Sequence, residues 1–166
     1  MALITKIAIN LWFETRAEEA ANFYCSIFKN SSIGAISRYG KEGYEFHHMP
    51  EGSIMTIEFF IDGIRFIALN GGPYVKFNES ISFVVNCLNE AELDYYWDKL
   101  TEGGDPEAQQ CGWLKDKYGV SWQVTPDILS EWMTDPDKEK VSRVSSALYP
   151  MKKLDWKKLE DAYNGV

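Results

Sequence analysis

Few residues in this chain are of a type that does chemistry, and their spacing narrows what they could do. The only histidines are His47 and His48. Neighbours on a strand or its edge point to opposite sides, so the two are not expected to chelate one ion. They read as a surface pair, with gating of a pocket mouth as the alternative. The cysteines, Cys25, Cys87 and Cys111, are odd in number and lack CxxC or zinc-type spacing, which favours reduced thiols. Cys25 falls on a helix and Cys87 on a helix-facing strand position, so both are expected in the core. Cys111 precedes a hairpin, and no base can be named beside it, as nucleophilic catalysis would require. TEGGD (101–105) follows a helix, where glycine serves as a C-terminal cap. An adenosylmethionine loop would instead join a parallel strand to a helix. Phosphate-loop and nucleotide fingerprints are missing. Arg65 has a clear binding chemistry: its guanidinium offers paired donors to a carboxylate, phosphonate or phosphate. Glu58, on the neighbouring strand, is the competitor, because an internal ion pair would neutralise it.

These residues must be positioned by strands and helices that the hydrophobic pattern marks. In QCGWLKDKYGVSWQVTP (110–126), Asp116 and Gly119 mark a turn between two strands. Val120, Trp122 and Val124 fix one face of the second strand against a core, leaving Ser121 and Gln123 on the other. A similar unit occurs twice. IAINLWFETRAEEAANFYCSIF (7–28) and the stretch ending SFVVNCLNEAELDYYWDKL (82–100) each read as a strand, a polar turn and an amphipathic helix. Aligned without a gap, Phe23 matches Tyr95 and Tyr24 matches Tyr96. After the first helix come strands at Ser32–Tyr39 and Ile54–Ile61, an Asp62-Gly63 turn, and Ile64–Asn70. After the second come Gly112–Lys115 and Val120–Thr125. Gly71-Gly72-Pro73 closes the first half. From Asp127 onward DPDKEKVSRVSSAL and DWKKLEDAYNG read as two short helices, an appendage on the repeat.

Assigning the bulky set of each strand to the helix side leaves an unusual reverse side. Ile7, Ile9, Leu11, Phe13, Ile81, Phe83, Val85 and Cys87 go to the helices, as do Ile64, Phe66 and Ala68. The reverse faces then carry Ala8, Asn10, Trp12, Arg65, Ile67, Leu69, Ser80, Ser82, Val84, Asn86, Ser121 and Gln123. A freely solvated sheet face would carry more Lys, Glu and Thr, so a partly polar hollow explains this composition better than open solvent. Trp12, Arg65, Ser82, Ser121 and Gln123 are the residues expected to line it. Trp12 would stack on a planar or apolar ligand, and Ser and Gln would orient polar groups.

Bulk properties exclude some partners. The 166 residues suit one soluble domain, 45% hydrophobic and 25% charged. A net charge of −8 argues against nucleic acid and against an anionic membrane surface. No apolar run approaches a membrane span and no signal pattern appears, so a cytoplasmic location is expected.

With these motifs in view, the chain resembles the vicinal oxygen chelate superfamily of glyoxalases, bleomycin resistance proteins and dioxygenases. Within it the chain is most similar to the PhnB-like branch, often labelled demethylubiquinone methyltransferase-like. The likeness rests on INLWFETRAEEAANFYCSIF, NGGPYVKFNESISF, QCGWLKDKYGVSWQVTP and MKKLDWKKLEDAY. It implies an α+β fold of paired βαβββ modules forming an open barrel-like cup, usually in a homodimer. The modules would span about 5–73 and 78–126 of a single domain, with a helical extension over 127–166. Metal-dependent members hold a divalent ion on inward strand positions that match Ala8, Ile67, Ser80 and Gln123 here. Those side chains are poor or impossible ligands, so no metal or other cofactor is predicted. The lack of a cofactor loop makes methyl transfer an unsupported reading of the label.

The expectation is therefore a small-molecule-binding protein whose unidentified partner is anionic or aromatic. A metal-assisted lyase, isomerase or dioxygenase with other ligands, and a structural dimerisation module with a filled hollow, are the alternatives. No catalytic residue is assigned, and the residues leave open whether the protein is an enzyme.

Overall fold

The computed structural model describes residues 6–166, so the expected module start at residue 5 lies outside it. Contacts divide the chain into two compact units, one running to Lys76 and the other from Phe77 to Val166. In the first unit the elements are β1 (Ile9–Phe13), α1 (Ala17–Ile27), β2 (Ser31–Arg38), the short α2 (Tyr44–His47), β3 (Ile54–Ile61) and β4 (Ile64–Asn70). They form one four-stranded sheet of order β1-β4-β3-β2, with β1 parallel to β4 and the other pairs antiparallel. Alternation along β3 buries Ile57, Phe59 and Ile61 beneath α1 and half-exposes Glu58 and Phe60. Ala17, Ala20 and Ala21 keep α1 close to the sheet, and Tyr24 stacks on Phe59, which stacks on Phe66. Asp62 and Gly63 both have positive φ, the conformation of a two-residue hairpin whose twist suits the flanking strands.

The second unit repeats that topology. Its strands β5 (Phe83–Cys87), β6 (Asp105–Gln110), β7 (Trp113–Lys115) and β8 (Ser121–Pro126) lie in the order β5-β8-β7-β6, with β5 parallel to β8 and α3 (Glu90–Thr101) between β5 and β6. The α+β arrangement of paired βαβββ modules is thus present. The alignment within the repeat differs from the gapless one. The residues that each helix buries correspond as Ala20 to Leu93, Tyr24 to Trp97 and Ile27 to Leu100, whereas Tyr95, 37% exposed, and the half-buried Tyr96 lie off that stripe. A run of matching aromatics misled the pairing because it ignored which side of the helix meets the sheet. Ile7, Ile64 and Ile81 also depart from the expected helix-facing set: all three are exposed, Ile7 and Ile81 because they precede their strands and Ile64 because it opens β4 at the hairpin turn.

Three elements have no counterpart in the sequence reading. The short α2 carries His47 where a strand edge is expected. β6 is a polar edge strand, DPEAQQ, paired only irregularly with β7, and so it carries no apolar alternation. The helix α4 (Leu129–Thr134) precedes the expected pair, α5 (Lys138–Leu148) and α6 (Trp156–Asn164). The last two begin at Asp137 and Asp155, whose carboxylates accept first-turn N–H groups. This extension is tied to the hairpin through Cys111 N–H donating to Met151 O and Gly112 N–H to Lys152 O, both at 2.8 Å. Leu154 is buried, and a Cβ added at Gly112 would come within 3.2 Å of it.

Candidate functional site

In the first unit the reverse face of the sheet is built on β1, β4 and β3. Trp12 lies opposite Leu69, Asn10 opposite Ile67, and Ile67 opposite Glu58. The indole N–H of Trp12 donates to Gly72 O at 2.9 Å. A Cβ at Gly71 would fall 2.3 Å from the same ring, so this glycine is what allows the indole to lie against the backbone. Arg65 is opposite Phe60, yet it reaches diagonally to Glu58 and forms an ion pair with it. Both side chains are partly buried, 32% and 23% exposed, so neither charge is fully hydrated. Of the two alternatives for Arg65, the internal pair is the one formed. Gly34 on β2 leaves room for it, since a Cβ there would meet Glu58 Cβ and Phe60 Cε2 at 3.0 Å.

In the second unit the corresponding face of β8 carries the neutral Ser121 and Gln123, with Lys115 of β7 opposite Ser121 on the same face. The Gln123 side-chain amide donates to Ser82 Oγ at 2.9 Å, which brings two of the expected residues together. Ser121 is only 2% exposed, and its hydroxyl points to Asn78 O at 3.5 Å. Asn78 Oδ1 accepts the Ser80 N–H at 2.9 Å and the Ser80 hydroxyl at 2.5 Å, and Lys115 pairs with Glu79. The segment from Asn78 to Ser82 is therefore bound along the ends of β7 and β8. Asn78 and Glu79 are missing from the sequence-derived set, and only the Asx-type spacing to Ser80 could have flagged them. Trp12 and Arg65 belong to one unit and Ser82, Ser121 and Gln123 to the other.

The remaining candidates resolve into structural roles. His47 ends α2, its Nδ1 accepts the Met49 N–H at 2.9 Å, and its ring lies 4.5 Å from that of Tyr39. His48 follows with φ of 54°. Cys87 is fully buried, and desolvation, reinforced by Glu92 and Asp127, pushes its thiol up to about 12. Burial raises Cys25 as well, partly offset by Ser31. Neither supplies a thiolate near neutrality. Cys111 directs its thiol to Tyr149 O at 3.4 Å. The glycines of TEGGD follow α3 as expected, and a Cβ at Gly104 would come 2.2 Å from Lys115 O. They serve a close crossing of chains.

Comparison with known proteins now bears on this geometry. The family model for 3-demethylubiquinone-9 3-methyltransferase matches residues 5–125. This chain belongs to that family. It is the PhnB-like branch of the vicinal oxygen chelate superfamily. The PhnB protein from Bacillus cereus is 37% identical, covering 74% of this chain and 99% of its own, with a TM-score of 0.60. Protein PA1353 from Pseudomonas aeruginosa is 20% identical over 75% of this chain and 98% of its own, with a TM-score of 0.56. The fosfomycin resistance protein FosX from Listeria monocytogenes is 17% identical over 80% and 99%, with a TM-score of 0.50. These last two show the shared fold. No curated protein matches the chain.

Membership allows the superfamily's metal to be tested against the residues of this PhnB-like chain. Ala8 and Ile67 offer no donor atom, Ser80 has its hydroxyl engaged by Asn78, and Gln123 is a neutral amide bonded to Ser82. This set does not fit a divalent transition ion, which selects imidazole, carboxylate or thiolate. Among the described residues no group of three or more His, Cys, Asp or Glu is placed to hold a metal. Nor is any described helix long and apolar enough to cross a membrane.

Proposed function

We propose that this PhnB-like protein binds a small organic molecule without a divalent metal at the superfamily's positions. Trp12, Arg65, Ser82, Ser121 and Gln123 are the residues assigned to the ligand, and a cytoplasmic homodimer is the assembly we assign. The observation that carries the reading is the Gln123–Ser82 hydrogen bond, in which the neutral amide at one of the superfamily's metal positions is engaged by a hydroxyl. Neutral donors and acceptors orient a polar ligand without demanding a formal charge on it. Arg65 adds anion selectivity, and Glu58 sets its strength, because a bound anion must compete with the internal carboxylate.

The test uses purified protein, elemental analysis and thermal shift with an anionic library. Zinc, nickel, manganese or iron at one equivalent per chain would overturn the metal-free reading. A ligand specific to the folded state raises the melting temperature. Glu58→Gln should strengthen the response to an anion by about tenfold in affinity, and Arg65→Ala should abolish it. Equal responses in wild type and both variants would remove Arg65 from the site.

A further inference from the structure

We propose a second binding site in the first unit, independent of the reading above: a cleft of about 390 Å3 that takes a small zwitterion with an apolar body, of the class of a free aliphatic α-amino acid. The cleft lies where α1 begins. Its floor is Ile54 and Asn70, both buried, and Asn70 continues the helix-facing series of Phe66 and Ala68 along β4. It is therefore on the side of the sheet opposite to Trp12, Glu58 and Arg65.

One wall is preformed. In the loop ahead of β3, Tyr39 N–H donates to Ser53 O at 2.9 Å and Gly52 N–H to Tyr39 O at 2.8 Å. The Ser53 hydroxyl donates to Pro50 O at 2.6 Å, and Met49 N–H is held by His47. Ordering of this wall is thus complete before a ligand arrives, which lowers the cost of binding.

The polar groups facing the cleft fall into two sets. Asn70 is spent: its Oδ1 accepts Ala17 N–H at 2.8 Å and its Nδ2 donates to Ile54 O at 3.0 Å. Thr15, Glu18 and Arg38 are not. Among the described residues the Thr15 hydroxyl and the Glu18 carboxylate have no partner, and Arg38 gives one N–H to Gly52 O at 2.9 Å, leaving the rest of its guanidinium open. Glu18 and Arg38 form no ion pair with each other although both line the same cleft. A lone cation would answer Glu18 and be repelled by Arg38, and a lone anion would meet the reverse. A molecule carrying an ammonium and a carboxylate answers both, while Met49, Pro50 and Ile54 accept its aliphatic part.

The experiment is titration of the 15N-labelled full chain with L-leucine, N-acetyl-L-leucine and L-leucinamide, read by amide chemical shifts. L-Leucine should give saturable shifts in Thr15–Glu19 and Met49–Ile54. Each blocked analogue lacks one charge and should bind at least about tenfold more weakly, as should L-leucine to Glu18→Gln or Arg38→Gln. Both side chains are exposed, so the variants should fold, and their spectra report it directly. No saturable shift in those segments up to about 20 mM, equal binding of the analogues, or unchanged affinity in both variants would each overturn the proposal.

Discussion

In the first unit α1 begins without a side-chain cap of its own and takes the Asn70 amide from the far end of β4, whereas in the second α3 is capped by Asn89, the residue just before it. The contrast continues on the reverse faces, where the first sheet holds the Arg65–Glu58 ion pair between its own strands and the second holds the neutral Gln123–Ser82 hydrogen bond beside Lys115, which pairs with Glu79 from outside the strands. Strand order and helix placement are common to both units. What differs is the partner each polar group takes: the helix cap comes from a distant strand in the first unit and from the adjacent residue in the second, and the amide–hydroxyl pair of the second sheet stands where the first sheet has a cross-strand ion pair. Topology is therefore set by the apolar alternation, and the polar residues are free to diverge in each copy.

Replacing the two caps breaks this comparison most sharply. Asn70→Ala leaves the Ala17 N–H and the Ile54 carbonyl buried without their partner, and should cost about 2–4 kcal/mol in denaturant unfolding. Asn89→Ala exposes one N–H to water at an accessible helix end and should cost about 1 kcal/mol. Equal losses in the two variants would show that α1 does not depend on its distant cap. A smaller effect is expected at the neutral Gln123–Ser82 pair. Ser82→Ala removes one part-buried acceptor, a change of about 0.5 kcal/mol, with the Gln123 amide free to turn to water.

Local pattern explains why so much of the architecture is legible in the sequence. β3 and β4 occur at Ile54–Ile61 and Ile64–Asn70 as read, because strict alternation and an Asp-Gly turn specify both strands and their register. β6 is not legible, since an edge strand without a buried face carries no period to detect. Asn70 is likewise hidden: it reads as the polar end of a strand, and its capping role depends on a helix start 53 residues away in sequence. At the candidate site, Glu58 as partner of Arg65 follows from the proximity of two strands. The deep burial of Ser121 does not, because it depends on Asn78 and on how the preceding segment lies across β8.

The smallest effect tests the charged chemistry of the second unit. Three of its carboxylates are held below the usual range: Asp135 by the Tyr163 hydroxyl at 2.5 Å, Asp155 by the Lys158 N–H at 3.0 Å, and Glu79 by Lys115. A depressed folded-state pKa means that the ionised form is favoured by folding. Its contribution is full above the unfolded carboxylate pKa of about 4 and is lost as pH falls through the folded value. Asp135 anchors Tyr163, which stacks on Trp132 at 5.5 Å between ring centroids and so joins α6 to α4. Asp135→Asn should therefore lower the melting temperature at pH 7, and the gap from wild type should narrow steadily as pH falls below about 4. A gap that stays constant across that range would mean that Asp135 holds the helices through shape and neutral hydrogen bonding alone, in the manner of Gln123 on the sheet.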